Sequence, residues 1–394
     1  MLLLWRKISR SPCILSIYKT LFQFLGLFPP KKLIIFESFH GKQFSDNPRA
    51  IYEYMVEQNF DYEMYWSIDK RYVEQFRHEK NIKCLKRFSL KWLIKMARAQ
   101  YWIVNSRLPL WVPKPKKTIY VQTWHGTPLK KLGLDIKAVH MPGTTTEKYK
   151  QNFTLEATKW DYLVSPNSYS TTIFTRAFNY FNKILETGYP RNDFLINCNP
   201  KETFRIKERV GVPLEKKIIL YAPTWRDDQF YNKGKYKFDL QLDLEKLRKE
   251  LGDSYFLILR LHYLVAENLD LSGREDFVKD LSNHEDIREL YVIADMLVTD
   301  YSSVFFDYAN LKRPMLFYVY DIEEYRDKLR GFYFDFERQA PGPLVKCTND
   351  LINEIKLLEK NGYSLSETTK EFNERFCSLE DGHASERVVN EILQ

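Results

Sequence analysis

A repeated switch of hydrophobic period constrains this sequence more than any other feature. From Lys31 onward, short runs rich in β-branched and aromatic residues alternate with stretches of helical periodicity. The runs "KLIIFES" (Lys32 to Ser38), "YEMYWSI" (Tyr62 to Ile68), "YWIVN" (Tyr101 to Asn105), "TIYVQT" (Thr118 to Thr123) and "DYLVS" (Asp161 to Ser165) read as strands. Between them lie helix-like stretches such as "NPRAIYEYMVEQ", where Pro48 suits a first turn, and "SLKWLIKMARA", where Ser89 suits an N-cap. Such alternation predicts a parallel sheet with helices on both faces.

A second series follows the polar stretch "NCNPKETFRIKERVGVP". Its strands are "KKIILYA" (Lys216 to Ala222), "YFLILRL" (Tyr255 to Leu261), "DMLVTD" (Asp295 to Asp300) and "PMLFYV" (Pro314 to Val319). A chain of 394 residues exceeds the size at which one hydrophobic core keeps growing. The expected fold is therefore α/β, with two Rossmann-like domains over residues 31–195 and 196–394 that face each other across a cleft. No repeat of solenoid period and no low-complexity tract interrupts this plan.

Residues 1–30 read differently. They are rich in Leu, Ile and Phe but are broken by Arg6, Lys7, Arg10 and Lys19, so no apolar run reaches the roughly 18 residues needed to span a bilayer. No small-residue cleavage pattern follows. The segment is expected either to lie as a helix in a membrane interface with cationic flanks, or to pack on its own protein. The net charge of +8 asks for an anionic partner: nucleic acid, an acidic polymer, a phosphorylated substrate or a lipid surface. The five cysteines are far apart and form no C-x-x-C pair, which indicates neither a disulfide framework nor a zinc site and fits a reducing cytosol.

In open α/β sheets ligands bind beyond the carboxyl ends of strands. His125 follows "TIYVQTW", Thr224 follows "IILYAP", Arg260 and His262 follow "YFLIL", and Ser302 with Ser303 follow "MLVTDY". Singly, each has a plain reading: a turn histidine beside Gly126, or a serine N-cap. Together they put two imidazoles, a guanidinium, hydroxyls and a helix N-terminus at strand ends, a set suited to a pyrophosphate. Lys130 and Lys131 add positive potential, and Gly126 lets a backbone approach a ligand. No Asp-x-Asp, no G-x-x-x-x-G-K-[ST] and no G-x-G-x-x-G after a strand occurs, so a metal-bridged nucleotide, a P-loop NTPase and a dinucleotide dehydrogenase lose support. Neither metal nor cofactor is expected.

Over nearly its whole length the chain resembles the CDP-glycerol glycerophosphotransferases of teichoic-acid synthesis. The segments that carry the resemblance include "FESFHGKQFSDNPRAIYEYM", "QTWHGTPLKKLGLD", "ETGYPRND", "LYAPTWRDD", "LRLHYLV", "LVTDYSSVFFDYANLKRPMLFY" and "CSLEDGHAS". The resemblance implies a GT-B type fold and an essential pair, His125 and His262. It implies donor contacts from Trp124, Gly126, Thr127, Pro128, Arg191, Pro223, Thr224, Arg260, Leu261, Ser302, Ser303 and Asp307. One departure stands out: Tyr263 follows the second histidine, where many relatives have Pro.

The implied reaction is attack by a terminal hydroxyl of a growing polyol-phosphate chain on the glycerol-bearing phosphorus of CDP-glycerol, with CMP leaving. His125 is the candidate general base, with His262 and Arg260 stabilising the developing charge; the two histidines are interchangeable at this level. The implied partners are CDP-glycerol, a lipid-linked teichoic-acid acceptor and an anionic membrane surface, with no nucleic acid, and a peripheral location on the cytoplasmic face of the cell membrane. Two alternatives stay open: a CDP-ribitol-dependent transferase of the same family, and a non-catalytic membrane scaffold. Because the chain ends soon after the second series, addition of one or a few glycerol phosphates is expected.

Overall fold

The computed structural model describes residues 12–76, 82–139, 144–224, 230–232, 235–236, 240–261, 270–325 and 331–394. The chain forms two compact units. One takes in the chain up to His125, Gly133–Arg191 and His383–Gln394; the other consists of Gly126–Leu132 and Asn192–Gly382.

The first unit is built on seven parallel strands: β1 (Lys31–Glu37), β2 (Glu63–Ile68), β3 (Cys84–Lys86), β4 (Ala99–Val104), β5 (Ile119–Gln122), β6 (Tyr162–Ser165) and β7 (Lys183–Glu186), in the order β3-β2-β1-β4-β5-β6-β7. A sheet covered on both faces needs apolar side chains in both directions, and Leu33 to Phe36 of β1 are all 0% exposed. One face, carrying Ile34, Phe36, Trp66, Ile103 and Val121, shares a core with Ile51 and Met55 of the helix Asp46–Glu57. The helix Ala384–Ile392 adds Val388, Val389 and Ile392 to that core, although it begins 347 positions after the end of β1 at Glu37. The helix Leu90–Arg98 begins as expected, with Ser89 accepting from the Trp92 N–H at 3.2 Å. Strand order reverses between β1 and β4, which makes their carboxyl ends the topological switch point.

Of the two expectations for the N-terminal segment, packing on its own unit is what the helix Pro12–Leu25 shows. Its Phe22 is 0% exposed, with ring centroids 6.4 Å and 6.2 Å from those of Trp92 and Trp102. Its other side leaves Ile14, Ile17 and Phe24 exposed. Among the described residues no helix is long and apolar enough to cross a membrane.

The second unit repeats the plan with β8 (Lys217–Tyr221), β11 (Tyr255–Leu259), β12 (Val278–Asp280), β13 (Met296–Thr299), β14 (Met315–Tyr318) and β15 (Leu344–Val345), all parallel, in the order β12-β11-β8-β13-β14-β15. A separate two-stranded ladder joins β9 (Phe230–Asn232) and β10 (Lys235–Tyr236). Its first helix, Pro200–Val210, is capped by the Asn199 side chain, has Pro200 in its first turn and stops at Gly211 with φ +66°. Here the strand order reverses between β8 and β13. Thr224 therefore follows one switch-point strand and Ser302 the other.

Candidate active site at the strand ends of the two units

In the first unit the chain leaves β5 at Gln122 and turns sharply. Trp124 has φ +52°, a left-handed conformation that is a true outlier for a bulky aromatic residue and costs on the order of 1–3 kcal/mol. Several hydrogen bonds hold it there. The Trp124 N–H donates to Gln122 Oε1 at 3.0 Å, and Asn47 Nδ2 donates to the carbonyls of Thr123 and Trp124, each at 3.2 Å. The indole packs among Phe153, Phe174 and Phe178 and stacks on the imidazole of His125, with centroids 4.6 Å apart.

His125 is half-buried, and its Nδ1 lies 2.7 Å from the carbonyl oxygen of Asn105. A carbonyl only accepts, so Nδ1 carries the hydrogen and Nε2 is the basic nitrogen of the neutral ring. Loss of hydration pushes the imidazole pKa below its ordinary value; the Asp46 carboxylate and the Asn105 hydrogen bond oppose this, while Arg191 and Arg107 add to it. Neutral His125 is thus set up to accept a proton at Nε2.

Asp46 and Arg191 form an ion pair beneath this turn, with Nη1 3.1 Å from both carboxylate oxygens. Their side chains are only 9% and 7% exposed. The Arg191 N–H donates to Asn47 Oδ1 at 3.1 Å. Arg191, grouped by sequence with the donor contacts, therefore lies in the first unit and is engaged with Asp46. Asn47 and Gln122 lie inside segments that carry the family resemblance, but the sequence singles out neither them nor Asn105 as site residues. Strand-end position is the one sequence signal that Asn105 and Gln122 share.

The second unit begins at Gly126. A Cβ on this residue would stand 3.2 Å from Ser303 Oγ, which is why glycine is required for the close approach. Thr127 and Pro128 are buried. Lys131 N–H donates to the Gly331 carbonyl at 3.0 Å and Tyr333 N–H to that of Leu129 at 2.9 Å, tying this strip to residues 331–333. Asp300, 1% exposed, accepts from the N–H groups of Thr224 at 2.8 Å and Ser302 at 3.2 Å, so one carboxylate fastens the loops after β8 and β13.

Ser303 stands at the N-cap position of the helix Val304–Tyr308, yet its side chain makes no capping hydrogen bond. That helix has five residues, so its dipole is short, and hydroxyls and backbone N–H groups carry more of any anion binding than the sequence implied. Asp307 is buried within it. Arg260 is half-buried; its N–H donates to the Tyr221 carbonyl at 2.8 Å and its Nη1 to the carbonyls of Leu281, at 2.9 Å, and Ser282. The Leu261 N–H donates to Ser282 Oγ at 2.8 Å. Pro223 is half-buried beside Thr224. His262 and Tyr263 lie outside the described residues.

A family model described as CDP-Glycerol:Poly(glycerophosphate) glycerophosphotransferase matches residues 20–394. The teichoic acid poly(glycerol phosphate) polymerase of Bacillus subtilis (strain 168) is 61% identical over 98% of this chain, which spans 52% of that protein. The polymerase of the same description from Bacillus spizizenii is 58% identical over 96% of this chain and 97% of its own length. The teichoic acid glycerol-phosphate transferase of Staphylococcus aureus is 50% identical, with coverage of 96% and 97%. This chain thus spans about half of the first relative and nearly all of the other two. A solved structure of the wall teichoic acid polymerase TagF with CDPG superposes with a TM-score of 0.88 at 44% identity, covering 95% of this chain and 92% of that one.

Proposed function

Because the chain belongs to the CDP-glycerol:poly(glycerophosphate) glycerophosphotransferase family, and so to a family of transferases, we propose that it moves glycerol phosphate from CDP-glycerol to the terminal hydroxyl of a lipid-linked (poly)glycerol-phosphate acceptor, releasing CMP. The oxygen of that hydroxyl bonds to the glycerol-bearing phosphorus as the bond to the CMP oxygen breaks. His125 Nε2 takes the hydroxyl proton. The carrying observation is the tautomer: Nδ1 is committed to the Asn105 carbonyl, which leaves the other nitrogen free to act as a base.

The donor is assigned to the second unit. The Gly126–Pro128 strip, Thr224, Ser302 and Ser303 hold phosphate oxygens, with Pro223, Leu261 and Asp307 shaping their surroundings and Arg260 supplying charge. His262 is the second catalytic candidate, and Trp124 orients His125 through their stacked rings. Arg191 acts on the site through Asp46 and Asn47. Phosphoryl transfer asks mainly for positioning and electrostatics, which suits a set with no protein nucleophile. The two-unit α/β plan supports a GT-B type assignment.

All three relatives above are named for glycerol phosphate, which favours CDP-glycerol over CDP-ribitol. The Bacillus spizizenii polymerase has nearly the length matched here, so length does not limit the number of units added. Exposed Ile14, Ile17, Phe24, Leu27 and Phe28, next to Leu90 and Ile94 of the neighbouring helix with its Lys91, Lys95 and Arg98, suit the interface of an anionic membrane. A peripheral location on the cytoplasmic face follows from that reading. Incubation with radiolabelled CDP-glycerol or CDP-ribitol and a synthetic lipid acceptor tests the proposal. Transfer from CDP-glycerol is expected; transfer from CDP-ribitol alone, or from neither, overturns it.

A further inference from the structure

The first unit's switch point carries a guanidinium that the proposed reaction has not used. Arg107 follows β4 at its carboxyl end, beside β1, where open α/β sheets place their ligands. The backbone on either side of it is fixed. Two residues earlier, Asn105 Oδ1 accepts the Phe39 N–H at 2.8 Å while its carbonyl holds His125 Nδ1; one residue later, the Leu108 N–H donates to Glu156 Oε1 at 3.1 Å. The side chain is fixed as well, its guanidinium carbon 4.3 Å from the centre of the Phe153 ring and 5.5 Å from that of Tyr149. Phe153 in turn packs against Trp124, which stacks on His125.

Arg107 is half-buried and makes no ion pair or hydrogen bond among the described residues. The carboxylates of this sheet end are already engaged: Glu37 with Arg87 at 3.0 Å, Asp46 with Arg191 at 3.1 Å, Asp69 with Arg71 at 2.7 Å, and Glu156 with the Leu108 N–H, the Tyr120 hydroxyl and the Trp160 indole N–H. A second buried donor at this strand end, Asn105 Nδ2, also has no partner among the described residues. His40, on the loop after β1, is exposed by area, yet the protein around its ring lowers its pKa to about 4, with Arg87, Lys42, His125 and Arg107 adding to the effect. An immobilised guanidinium without an anion, next to two imidazoles held neutral, is a site that awaits an anion. Its planar fork matches a phosphate.

We propose that Arg107 binds a phosphodiester of the acceptor, the one joining its terminal glycerol to the preceding unit, and so brings the terminal hydroxyl to His125. The proposal rests on the reading of His125 and of the acceptor given above. It favours the acceptor over the donor because the groups assigned to the donor's pyrophosphate belong to the second unit.

The test uses the full chain and two synthetic lipid acceptors, one ending in a natural glycerol phosphodiester and one whose linking group is an uncharged methylphosphonate. The wild type is expected to show a KM about tenfold or more higher for the neutral acceptor. Arg107→Gln should raise the KM for the natural acceptor by a similar factor, abolish the discrimination and leave CDP-glycerol affinity within about threefold, while Arg107→Lys restores part of the loss. Equal use of both acceptors by the wild type, a measurement that needs no folded variant, overturns the proposal. So does a loss in Arg107→Gln that falls on CDP-glycerol affinity. If the wild type transfers nothing from CDP-glycerol to either acceptor, the proposed function fails first, and that result is distinct from both.

Discussion

The strand ends of the two units are built on opposite principles. In the first, the groups that aim His125 are committed to one another: Asn47 to two carbonyls, Gln122 to the Trp124 N–H, Asn105 to Phe39 and His125, Asp46 to Arg191. In the second, the backbone is anchored by Asp300 and the Gly126–Leu132 strip, but Ser303 withholds its hydroxyl from the helix it begins. On the proposed reading, a proton-accepting nitrogen must be aimed before the substrate arrives, so its surroundings are over-determined. Groups that hold phosphate need unspent donors.

The sharpest way to break this contrast is at the aimed group itself. His125→Ala is expected to lower turnover by about 10² or more, the usual range for a general acid–base residue, with CDP-glycerol affinity nearly unchanged. Near-normal turnover in a folded variant would remove His125 from the reaction. Because burial holds its pKa below the ordinary value of about 6.5, the basic form persists below that pH, and the acid limb of the kcat profile should fall later than for a free imidazole. The stability effect has the opposite sense. With folded pKa values below unfolded ones, His125 and His40 favour the native state above about pH 6.5, and this contribution is lost as pH falls from there toward the folded values, about 4 for His40. Thermal melting at pH 7 and pH 5 should show the loss.

A milder blow falls on the clamp. Asn47→Ala leaves two carbonyls and the Arg191 N–H without their buried partner, which costs about 1–3 kcal/mol, and frees the strained Trp124. Turnover is expected to fall by roughly tenfold with little change in CDP-glycerol affinity. A kinetic profile equal to the wild type would mean that His125 is aimed without it. Next in size is the uncommitted pair of the second unit. Ser302→Ala with Ser303→Ala should weaken CDP-glycerol binding by about tenfold, from two lost hydrogen bonds, without lowering the melting temperature. Destabilisation with unchanged affinity would return these serines to a structural role. The smallest expected effect is none: full activity in EDTA. Loss that magnesium or manganese restores would show phosphate charge to be met by a cation rather than by these groups.

What was legible in the sequence follows from where information is local. The central strands β1, β4, β5, β8, β11 and β13 appear as continuous apolar runs because both faces are covered, and each was bounded to within one or two residues. The edge strands β3, β7, β12 and β15 were not, because few of their residues are buried; in β7, "KILE", only Leu185 is. His125 could be read from its place after a strand. Its clamp could not, since Asn47 lies 76 residues before Thr123 and meets it only when the helix Asp46–Glu57 docks on the sheet. Arg191 shows the same limit, since its motif says nothing of the buried Asp46 that engages it.

The helix Ala384–Ile392 has a consequence for biosynthesis. Its Val388, Val389 and Ile392 complete the first unit's core, but a ribosome adds them only after the whole of Asn192–Gly382. At roughly 5–20 residues per second that delay is on the order of ten seconds or more, during which Ile51, Met55 and their sheet partners lack the cover of this helix. The nascent first unit therefore lacks part of its core while the residues of the second are being added. A chaperone that shields apolar surface in that interval would act on the helix Asp46–Glu57, and its footprint should vanish once residue 392 has left the exit tunnel.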